Sequence, residues 1–483
     1  METIGLTEEQ RDWIEQSLLG GQSSFLSARA GTGKTSTIVE GLRQGAGAKA
    51  GFLNDLCLVA FNKENQLDLQ ARVPLGTQVA TLHGLGYKAL RGYNPRISLE
   101  TSKVFELLKR AGIKGKNRRA RFSETMRLVG VAKNWGLGVK GMLEDTSKSW
   151  IDLGNMYCLY QADLEIARET LFESTRLAKQ ENLIDFDDMV YLPALWHLGI
   201  YSKPGLVVDE AQDLSPLNLA VLKKTPGKKW YVGDPYQCIY QFRGAGAGGG
   251  LEDLLSRLPE YPLTTCWRCS KEVIKEARKW VGDIRVRDGA PEGSVQVESR
   301  WINWAQEPVG TILARRNEDL IQIALDLWKA GRPVYILGRE MAGACGEALD
   351  EIPCDGVKLE AGIKTWIDEK CEMYPHASGW FSGIGQVLLG FLRVFKSKAG
   401  IGKNLGKFFS DKPVEGAWIL STIHKAKGKE WPEVWLLDWE QEKGGEPWTF
   451  AQERNLKYVA ITRAKDTLHI VPEPWWKEIS NGK

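Results

Sequence analysis

The sequence lacks a long hydrophobic run, a charge excess of one sign and a framework of paired cysteines. No stretch of about 18 apolar residues occurs, so no transmembrane helix is predicted. The N-terminal sequence METIGLTEEQRDWIEQ is acidic and amphipathic, which argues against a signal or transit peptide. The 64 Lys and Arg residues nearly balance the 61 Asp and Glu residues, so any basic surface must be local.

The eight cysteines are scattered along the 483 residues. Cys266 and Cys269 form a single C-x-x-C pair without the second pair that a zinc site needs, so reduced cytosolic thiols are expected. The 19 tryptophans are many for this length; most are expected in packing, although their flat rings can also stack on bases. The length predicts two to four domains.

Short apolar runs alternate with helical segments in two separate blocks. Each run ends in a polar residue or is followed closely by one, which is typical of a buried strand in a parallel sheet. The runs are 56–61, 78–83, 205–210 and 229–234 in the first block and 311–315, 333–338, 417–424 and 433–438 in the second. This alternation predicts an α/β fold with two doubly wound parallel sheets.

Two long stretches interrupt these blocks. The stretch between His83 and Gly205 is mostly helical and too long for a crossover connection, so it predicts an inserted domain. A second insertion, roughly 340–414, interrupts the second block. Each insertion contains a basic run, at 109–122 and at 396–412, which is either a solvated face or a contact to nucleic acid.

The segment SARAGTGKTST, residues 27–37, has the pattern of a phosphate-binding loop between a strand and a helix. Gly31 and Gly33 let backbone N–H groups face a polyphosphate, Lys34 reaches the outer phosphates and the Thr35 hydroxyl ligates Mg²⁺. Ala28 stands where the first glycine is usual. The alternative is a glycine turn without a ligand.

The segment LVVDEAQD, residues 206–213, supplies the acidic groups that such a loop requires. A buried strand delivers Asp209 and Glu210 at its carboxyl end, where α/β sheets bind ligands. Asp209 is predicted to hold Mg²⁺ and Glu210 to polarise the attacking water. The alternative is an acidic turn after a strand.

Over nearly its whole length the chain resembles superfamily 1 DNA helicases of the UvrD/Rep type, because ten motifs follow one another in the family's order. The motifs are LTEEQ (6–10), ARAGTGKT (28–35), VAFNKENQ (59–66), ATLHGLG (80–86), IDFDDMV (184–190), VVDEAQDLSP (207–216), VGDPYQCIYQFRGA (232–245), LTTCWRCS (263–270), STIHKAKGKEW (421–431) and QERNLKYVAITRAK (452–465). The resemblance implies RecA-like motor domains, ATP and Mg²⁺ as cofactors, and single-stranded DNA and single-strand/duplex junctions as partners.

The same resemblance implies the residues of the nucleotide site. Gln10 is predicted to read adenine through its amide, Trp267 to stack on the adenine ring and Glu430 to contact the ribose. The full predicted set for ATP is Gln10, Ala30, Gly31, Thr32, Gly33, Lys34, Thr35, Ser36, Trp267 and Glu430, with Thr35 and Asp209 for the metal. The catalytic set is Lys34, Glu210, Gln237, Arg268 and Arg463.

The predicted roles of Gln237, Arg268 and Arg463 concern the γ-phosphoryl group of ATP. Hydrolysis builds negative charge on the γ-phosphoryl oxygens, which the guanidiniums of Arg268 and Arg463 are predicted to stabilise. Both arginines belong to the second block, so they are expected to reach the nucleotide only when the two domains close. Gln237 is predicted to sense the γ-phosphate.

Single-stranded DNA requires stacking faces and phosphate donors along a groove. The motifs supply both types of residue, and the pairs TLH and TIH place a histidine equivalently in the two blocks. The predicted DNA contacts are Phe61, Asn62, Lys63, Thr81, His83, Phe186, Tyr240, Phe242, Arg243, Thr422, His424 and Lys427.

The motifs also divide the chain into domains. The first RecA-like motor domain is predicted at 1–87 and 183–266 with a helical insertion at 88–182, and the second at 267–340 and 415–483 with a short insertion at 341–414. Ser36 and Asn455 stand where the family often has arginine, and Lys429 stands where leucine is usual. The short second insertion puts in doubt the duplex-binding and autoregulatory roles that the family assigns to it.

The predicted function is an ATP-dependent single-stranded DNA translocase and helicase that moves 3′ to 5′, the direction resting on the resemblance. The runner-up is a DNA-stimulated ATPase that displaces proteins or remodels recombination intermediates with little strand separation. A phosphoryl-transfer kinase or a catalytically inactive DNA-binding scaffold leaves most of the motifs unexplained. The expected setting is a monomer, without membrane contact, in the cytoplasm of a bacterial or phage-infected cell.

Overall fold

The computed structural model divides the chain into two compact units, Met1–Cys266 and Trp267–Lys483. The structure describes residues 5–47, 55–113, 118–157, 159–201, 205–239, 250–373, 378–412, 414–439 and 447–472.

The first unit alternates strands and helices at both of its ends and is helical in the middle. Its strands are β1 Ser24–Ala28, β2 Leu56–Ala60, β3 Gln78–Thr81, β4 Ser98–Leu99, β5 Leu183–Ile184, β6 Gly205–Val208, β7 Lys228–Gly233, β8 Glu260–Leu263 and β9 Thr265–Cys266. Its helices are α1 Glu8–Asp12, α2 Lys34–Gly47, α3 Lys63–Arg72, α4 Leu82–Tyr93, α5 Lys103–Ala111, α6 Arg118–Asn134, α7 Ser147–Met156, α8 Leu164–Gln180, α9 Asp188–Leu195, α10 Pro216–Lys224 and α11 Gly250–Arg257. A π-helix, Trp13–Leu19, follows α1.

The main sheet of the first unit has six strands in the order β3-β2-β6-β7-β1-β8, and every neighbouring pair is parallel. Strands β1, β2 and β6 are buried along their whole length because helices cover both faces of such a sheet, and apart from Ser24 and Ser27 of β1 they contain no polar side chain. All six strands therefore end at one edge. That edge receives the loops after β1, β2, β3, β6 and β7.

Helices α5 to α8 lie between β4 and β5 in the chain. Their apolar faces join the same core as the sheet, since Leu128, Trp150 and Leu171 belong to one cluster with Phe25 and Leu206. The two short strands β4 and β5 pair in parallel and tie the two ends of this helical stretch together.

The second unit has the same alternation with different lengths. Its strands are β10 Arg285–Val286, β11 Ser294–Val297, β12 Thr311–Ala314, β13 Val334–Ile336, β14 Trp418–Thr422, β15 Trp431–Leu437 and β16 Ala464–Val471. Its helices are α12 Lys271–Ala277, α13 Asn317–Lys329, α14 Arg339–Glu351, α15 Leu359–Met373, α16 Ser378–Phe395, α17 Lys398–Phe408, α18 Ile423–Ala426 and α19 Pro447–Ile461.

The sheet of the second unit has the order β11-β16-β15-β12-β14-β13, again with parallel neighbours. Helices α14 to α17 lie between β13 and β14 in the chain and share a core with the sheet, in which Phe391 and Phe408 pack near Trp418. Three tryptophans meet edge to face in this core: Trp304 lies 5.9 Å from Trp418 and 5.4 Å from Trp435 between ring centroids.

The predicted fold class is confirmed: the chain forms two parallel-sheet α/β units with helical insertions. Each of the eight predicted runs contains a strand. The predicted runs did not include β8 and β11, which are short, partly polar strands at the outer positions of their sheets, or β16, an interior strand that begins with the charged residues Lys465 and Asp466 after Ala464. Within the described ranges, no helix has both the length and the apolar composition to cross a bilayer.

Candidate nucleotide and nucleic-acid sites

The loop after β1 has the geometry of a phosphate-binding loop. Gly31 and Gly33 have φ angles of 69° and 83°, values that side chains beyond glycine rarely adopt. Helix α2 begins at Lys34 directly after this turn, so its first backbone N–H groups point toward the loop. The Thr32 hydroxyl donates to the Arg29 carbonyl over 2.8 Å, which closes the turn from within.

Lys34 lies among three carboxylates. Its ammonium group is 3.0 Å from the Glu210 carboxylate. Burial alone lowers the pKa of Lys34, but Glu210, Asp209 and Asp234 raise it above its ordinary value. The lysine is therefore charged, and it lies where loops after β1, β6 and β7 converge.

The two acidic residues predicted from the sequence follow β6. Burial and the neighbouring Glu210 raise the pKa of Asp209 to about 6. Glu210 has a left-handed backbone with φ of 52°, a conformation that costs a non-glycine residue free energy. This strained turn directs the Glu210 carboxylate to Lys34, and Asp209 accepts the Glu210 N–H over 2.9 Å.

Hydrogen bonds continue from Glu210 to the loop after β7. The Gln212 amide donates to the Glu210 carboxylate, and its carbonyl oxygen accepts the Asp234 N–H over 3.0 Å. The Asp234 carboxylate then accepts from the Gln237 amide over 2.8 Å. A continuous chain of side chains thus links Lys34 to Gln237.

Gln10 lies beside this loop, but its amide is engaged within the protein. Its carbonyl oxygen accepts the Thr7 N–H, and its NH₂ group donates to the Thr37 hydroxyl over 3.0 Å and weakly to the Thr32 carbonyl over 3.4 Å. Reading adenine through both groups would require these bonds to open. The adenine contact of Gln10 stays a prediction.

The remaining predicted nucleotide residues of the first unit surround the same turn. Ala30 and Thr32 are buried in the loop, and Thr35 is half-buried in the first turn of α2. Ser36 is exposed, and Arg72 reaches its hydroxyl over 3.4 Å.

Within the second unit, the predicted arginines lie together. Arg268 forms an ion pair with Glu430, and Lys465 binds the other oxygen of that carboxylate over 2.8 Å. Arg463 is buried and donates to the carbonyls of Val459 and Lys429, while burial and the nearby Arg268 lower its pKa to about 9. Glu430, predicted to contact ribose, is thus held by two cations.

Predicted DNA contacts of the first unit lie at the ends of β2 and β3, which are neighbours in the sheet. Phe61 follows β2 and is 38% exposed, while Asn62 and Thr81 accept backbone N–H groups as N-caps of α3 and α4. His83 stacks on Phe186 with ring centroids 4.2 Å apart. Lys63 is exposed and donates to Gln66 over 3.2 Å.

Predicted DNA contacts of the second unit follow β14. Thr422 ends that strand, and His424 lies in the short helix α18. Lys427 follows α18 directly, at the same edge of the sheet. Tyr240, Phe242 and Arg243 lie outside the described residues.

Sequence reasoning overlooked three polar residues of these sites. Gln212 and Asp234 complete the chain from Glu210 to Gln237, and Lys465 shares Glu430 with Arg268. Each belongs to a recognised motif, so the position of a polar residue within a motif was the available signal. Their partners depend on three-dimensional contacts between segments far apart in sequence.

The fold and the loop after β1 define a class: a P-loop nucleotide-binding protein built on two parallel sheets. The UvrD/REP helicase N-terminal domain model matches residues 6–252, and the UvrD-like helicase C-terminal domain model matches residues 395–472. The chain therefore belongs to the UvrD/REP helicase family, which confirms the predicted resemblance.

Several characterised proteins are similar to the chain. F-box DNA helicase protein 1 of Schizosaccharomyces pombe is 27% identical over 96% of this chain and 57% of its own length, and F-box DNA helicase 1 of Gallus gallus is 25% identical over 96% and 49%. ATP-dependent DNA helicase UvrD1 of Mycobacterium leprae is 37% identical over 14% of the chain. The chain spans about half the length of the two F-box relatives.

These relatives correct one prediction. The two proteins that match almost the whole chain come from fission yeast and chicken, which are eukaryotes. The expected setting in the cytoplasm of a bacterial or phage-infected cell is therefore wrong. The helicase motifs indicate a type of mechanism, and they give no information about the organism from which the chain comes.

Proposed function

We propose that the protein is an ATP-dependent single-stranded DNA translocase and helicase that moves 3′ to 5′. The chain of contacts from Lys34 through Glu210 to Gln237 carries this proposal. It runs along the edge of the first sheet where Phe61 follows β2 and where His83, just after β3, stacks on Phe186. The residues proposed to bind the nucleotide and those proposed to bind DNA therefore lie at the same edge of the sheet.

The nucleotide site accepts a polyphosphate through backbone N–H groups after Gly31 and the charge of Lys34. Asp209 and Thr35 are suited to Mg²⁺, because a buried carboxylate with a raised pKa is stabilised by a cation. When bound, Mg²⁺ supplies charge neutralisation between the outer phosphates. Glu210 orients the attacking water and accepts its proton.

Arg268 and Arg463 stabilise the charge that develops on the γ-phosphoryl oxygens, and Trp267 stacks on the adenine. For this role the arginines must exchange part of their present hydrogen bonds for phosphate oxygens. We propose that closure of the two motor domains on ATP brings them to Lys34, and that opening after hydrolysis shifts one DNA grip relative to the other.

The domain limits belong to the same proposal. The first motor domain comprises 1–87 and 183–266 with the insertion 88–182, and the second comprises 267–340 and 415–483 with the insertion 341–414. Single-stranded DNA binds through Phe61, His83 and Phe186 on the first domain and through the segment after β14 on the second. The active species is a monomer.

The names of the relatives support DNA as the substrate: two are F-box DNA helicases, and a third is an ATP-dependent DNA helicase. The polarity follows the family branch that the motifs resemble.

Unwinding of paired duplexes that carry either a 3′ or a 5′ single-stranded tail, with ATP turnover recorded in parallel, tests the proposal. We expect DNA-stimulated turnover and strand separation from the 3′-tailed substrate. DNA-stimulated ATP turnover without strand separation would favour a translocase that displaces proteins over a helicase. ATP turnover that is not stimulated by DNA would contradict both functions and indicate an ATPase that does not act on DNA.

A further inference from the structure

Four charged side chains are buried together beneath Phe186. This lysine–aspartate cluster consists of Lys103, Lys133, Asp185 and Asp188, each less than one tenth exposed. Lys133 is 2.5 Å from Asp185 and 2.8 Å from Asp188. Lys103 pairs with Asp188 and lies 3.5 Å from Asp185. The two cations and two anions balance.

The cluster joins parts of the chain that are distant in sequence. Lys103 belongs to α5 and Lys133 to α6, whereas the two aspartates flank the turn before α9. Lys103 also donates to the backbone carbonyls of Ser174 and Leu183, over 3.1 and 3.3 Å. Three helices of the stretch between β4 and β5 are thereby fixed to a single turn.

The aspartates also fix that turn from within. The Asp185 N–H donates to the Asp188 carboxylate and the Asp188 N–H donates to the Asp185 carboxylate, both over 3.0 Å. Phe186 lies between them with 54% of its surface exposed and its ring stacked on His83 at an interplanar angle of 21°. Burial lowers the pKa of His83 to about 4, so this platform is neutral at physiological pH.

Apolar side chains of similar volume would fill the same space at no loss of stability, because desolvating four charges consumes most of their attraction. What the ion pairs add is a fixed set of partners: each ammonium donates to carboxylate and carbonyl oxygens at hydrogen-bond distance, and moving the turn would leave buried charges uncompensated. With apolar side chains in place of the four charges, the turn at Asp185–Asp188 could shift slightly, and a small shift is enough to unstack the Phe186 ring.

We propose that Lys103 and Lys133 are positioning residues for DNA: through Asp185 and Asp188 they hold the turn so that the Phe186 ring, backed by His83, presents a flat face to a base of single-stranded DNA. The helices between β4 and β5 then contribute to DNA affinity without touching DNA. This inference rests on the proposed function, in which Phe186 and His83 contact the strand.

A double-mutant comparison on the full chain tests it. We would measure binding of fluorescein-labelled oligothymidine by anisotropy for Lys133→Met, Phe186→Ala and the double variant. Phe186→Ala should weaken binding by about 5- to 100-fold, the loss of one base stack. Lys133→Met should weaken it by a smaller factor, and the double variant should bind as Phe186→Ala does.

Two controls separate positioning from general damage. Lys133→Arg keeps the cation and should restore most of the affinity, and Lys148→Met removes a lysine of α7 whose side chain is 82% exposed and should have no effect. If Lys133→Met does not fold, the variant that combines Lys133→Met with Asp185→Leu is used instead. It removes one charge of each sign and leaves the Lys103–Asp188 pair. Its DNA affinity is then compared with and without Phe186→Ala.

Each outcome is decisive. An equal loss of affinity from Lys133→Met with and without the Phe186 ring would mean that the lysine acts elsewhere, which overturns the positioning role while the DNA contact stands. Unchanged affinity in Phe186→Ala would remove Phe186 from the DNA site and overturn that part of the proposed function together with this inference.

Discussion

The two units have the same architecture and differ in the loops that follow their strands. In the first unit, β1 leads through Gly31 and Gly33 into a helix that begins with Lys34. In the second unit, β12 leads into α13 through Arg315 and Arg316. The first turn can surround phosphate with backbone N–H groups, whereas Arg315 pairs with Glu453 over 3.2 Å and Arg316 with Asp319 over 3.3 Å. The same sheet architecture thus carries a phosphate-binding loop in one unit and a loop of ion pairs in the other.

Buried cations show a second difference between the units. Lys34 is surrounded by carboxylates and lies in the first turn of a helix, whereas Arg463 is surrounded mostly by carbonyl groups. A lysine among carboxylates keeps its charge at little cost. The pKa of Arg463 is lowered to about 9 because burial and the nearby Arg268 outweigh the attraction of Glu430, and a phosphoryl group would add negative charge that favours the charged arginine.

The strongest test of this comparison is Arg463→Lys. We expect the turnover of ATP at saturating DNA to fall by about 10³-fold or more, as for loss of an arginine finger, because an ammonium cannot reproduce the planar guanidinium fork. Steady-state turnover and the affinity for a fluorescent ATP analogue would be measured together. Arg316→Lys, at an exposed arginine, is the matched control. An equal loss of turnover and nucleotide affinity would contradict the catalytic role.

The second prediction compares the free energy of unfolding that is lost when a buried lysine is replaced in each unit. Lys133→Met leaves two buried carboxylates short of a cation and is expected to cost about 3–5 kcal/mol. Lys457→Met in the second unit should cost about 1 kcal/mol, because its partner Asp438 is 35% exposed and can be hydrated. Thermal unfolding of each variant gives the measurement. Similar losses in the two variants would show that exposure of the partner does not decide the cost.

Lys34→Ala tests the phosphate-binding turn. Turnover should fall by about 10²- to 10³-fold, the usual loss of one electrostatic donor to the transition state. Affinity for single-stranded DNA without nucleotide should be unchanged, since the predicted DNA contacts follow β2 and β3. Lys148→Ala serves as the control. Normal hydrolysis by Lys34→Ala would refute the assignment of the site.

The smallest expected effect is a pH dependence at Asp187. Burial raises the pKa of Asp187 to about 6, and the carboxylates of Asp185 and Asp188 add to the increase. The folded pKa lies above the unfolded one, so the charged form destabilises the fold above pH 6 and this penalty disappears below about pH 4. Asp187→Asn should therefore stabilise the protein by about 1–2 kcal/mol at pH 8 and by nearly nothing at pH 4.

Unfolding curves of Asp187→Asn and the unaltered protein at both pH values would be compared. A stabilisation that is the same at pH 4 and pH 8 would mean that the ionisation of Asp187 contributes nothing. The difference between the two proteins cancels the titration of other groups, including His83.

Much of the fold could be predicted from the sequence because its central strands are apolar and end in polar residues. The turn at Gly31 and Gly33 and the acidic pair at 209–210 are likewise local patterns. The strands β8 and β11 were not predictable in this way, since outer strands such as EYPL carry polar residues that face solvent.

Side-chain contacts between segments that are far apart in the chain could not be predicted from a single sequence. Nothing local indicates that the Gln10 amide bonds to Thr37 or that Lys103 and Lys133 share two aspartates. A lone lysine in an amphipathic helix is typical of a solvated face. Only the packing of α5 and α6 against the turn before α9 places these lysines inside.

Gly233, the last residue of β7, is packed closely against the side chain of Gln212. A Cβ atom built there would collide with the Gln212 amide oxygen and lie 3.2 Å from the Ala211 backbone nitrogen. An alanine at 233 would therefore force the Gln212 amide away from the Asp234 N–H and the Glu210 carboxylate. The missing side chain at 233 thus leaves room for the hydrogen bonds that join the loops after β6 and β7.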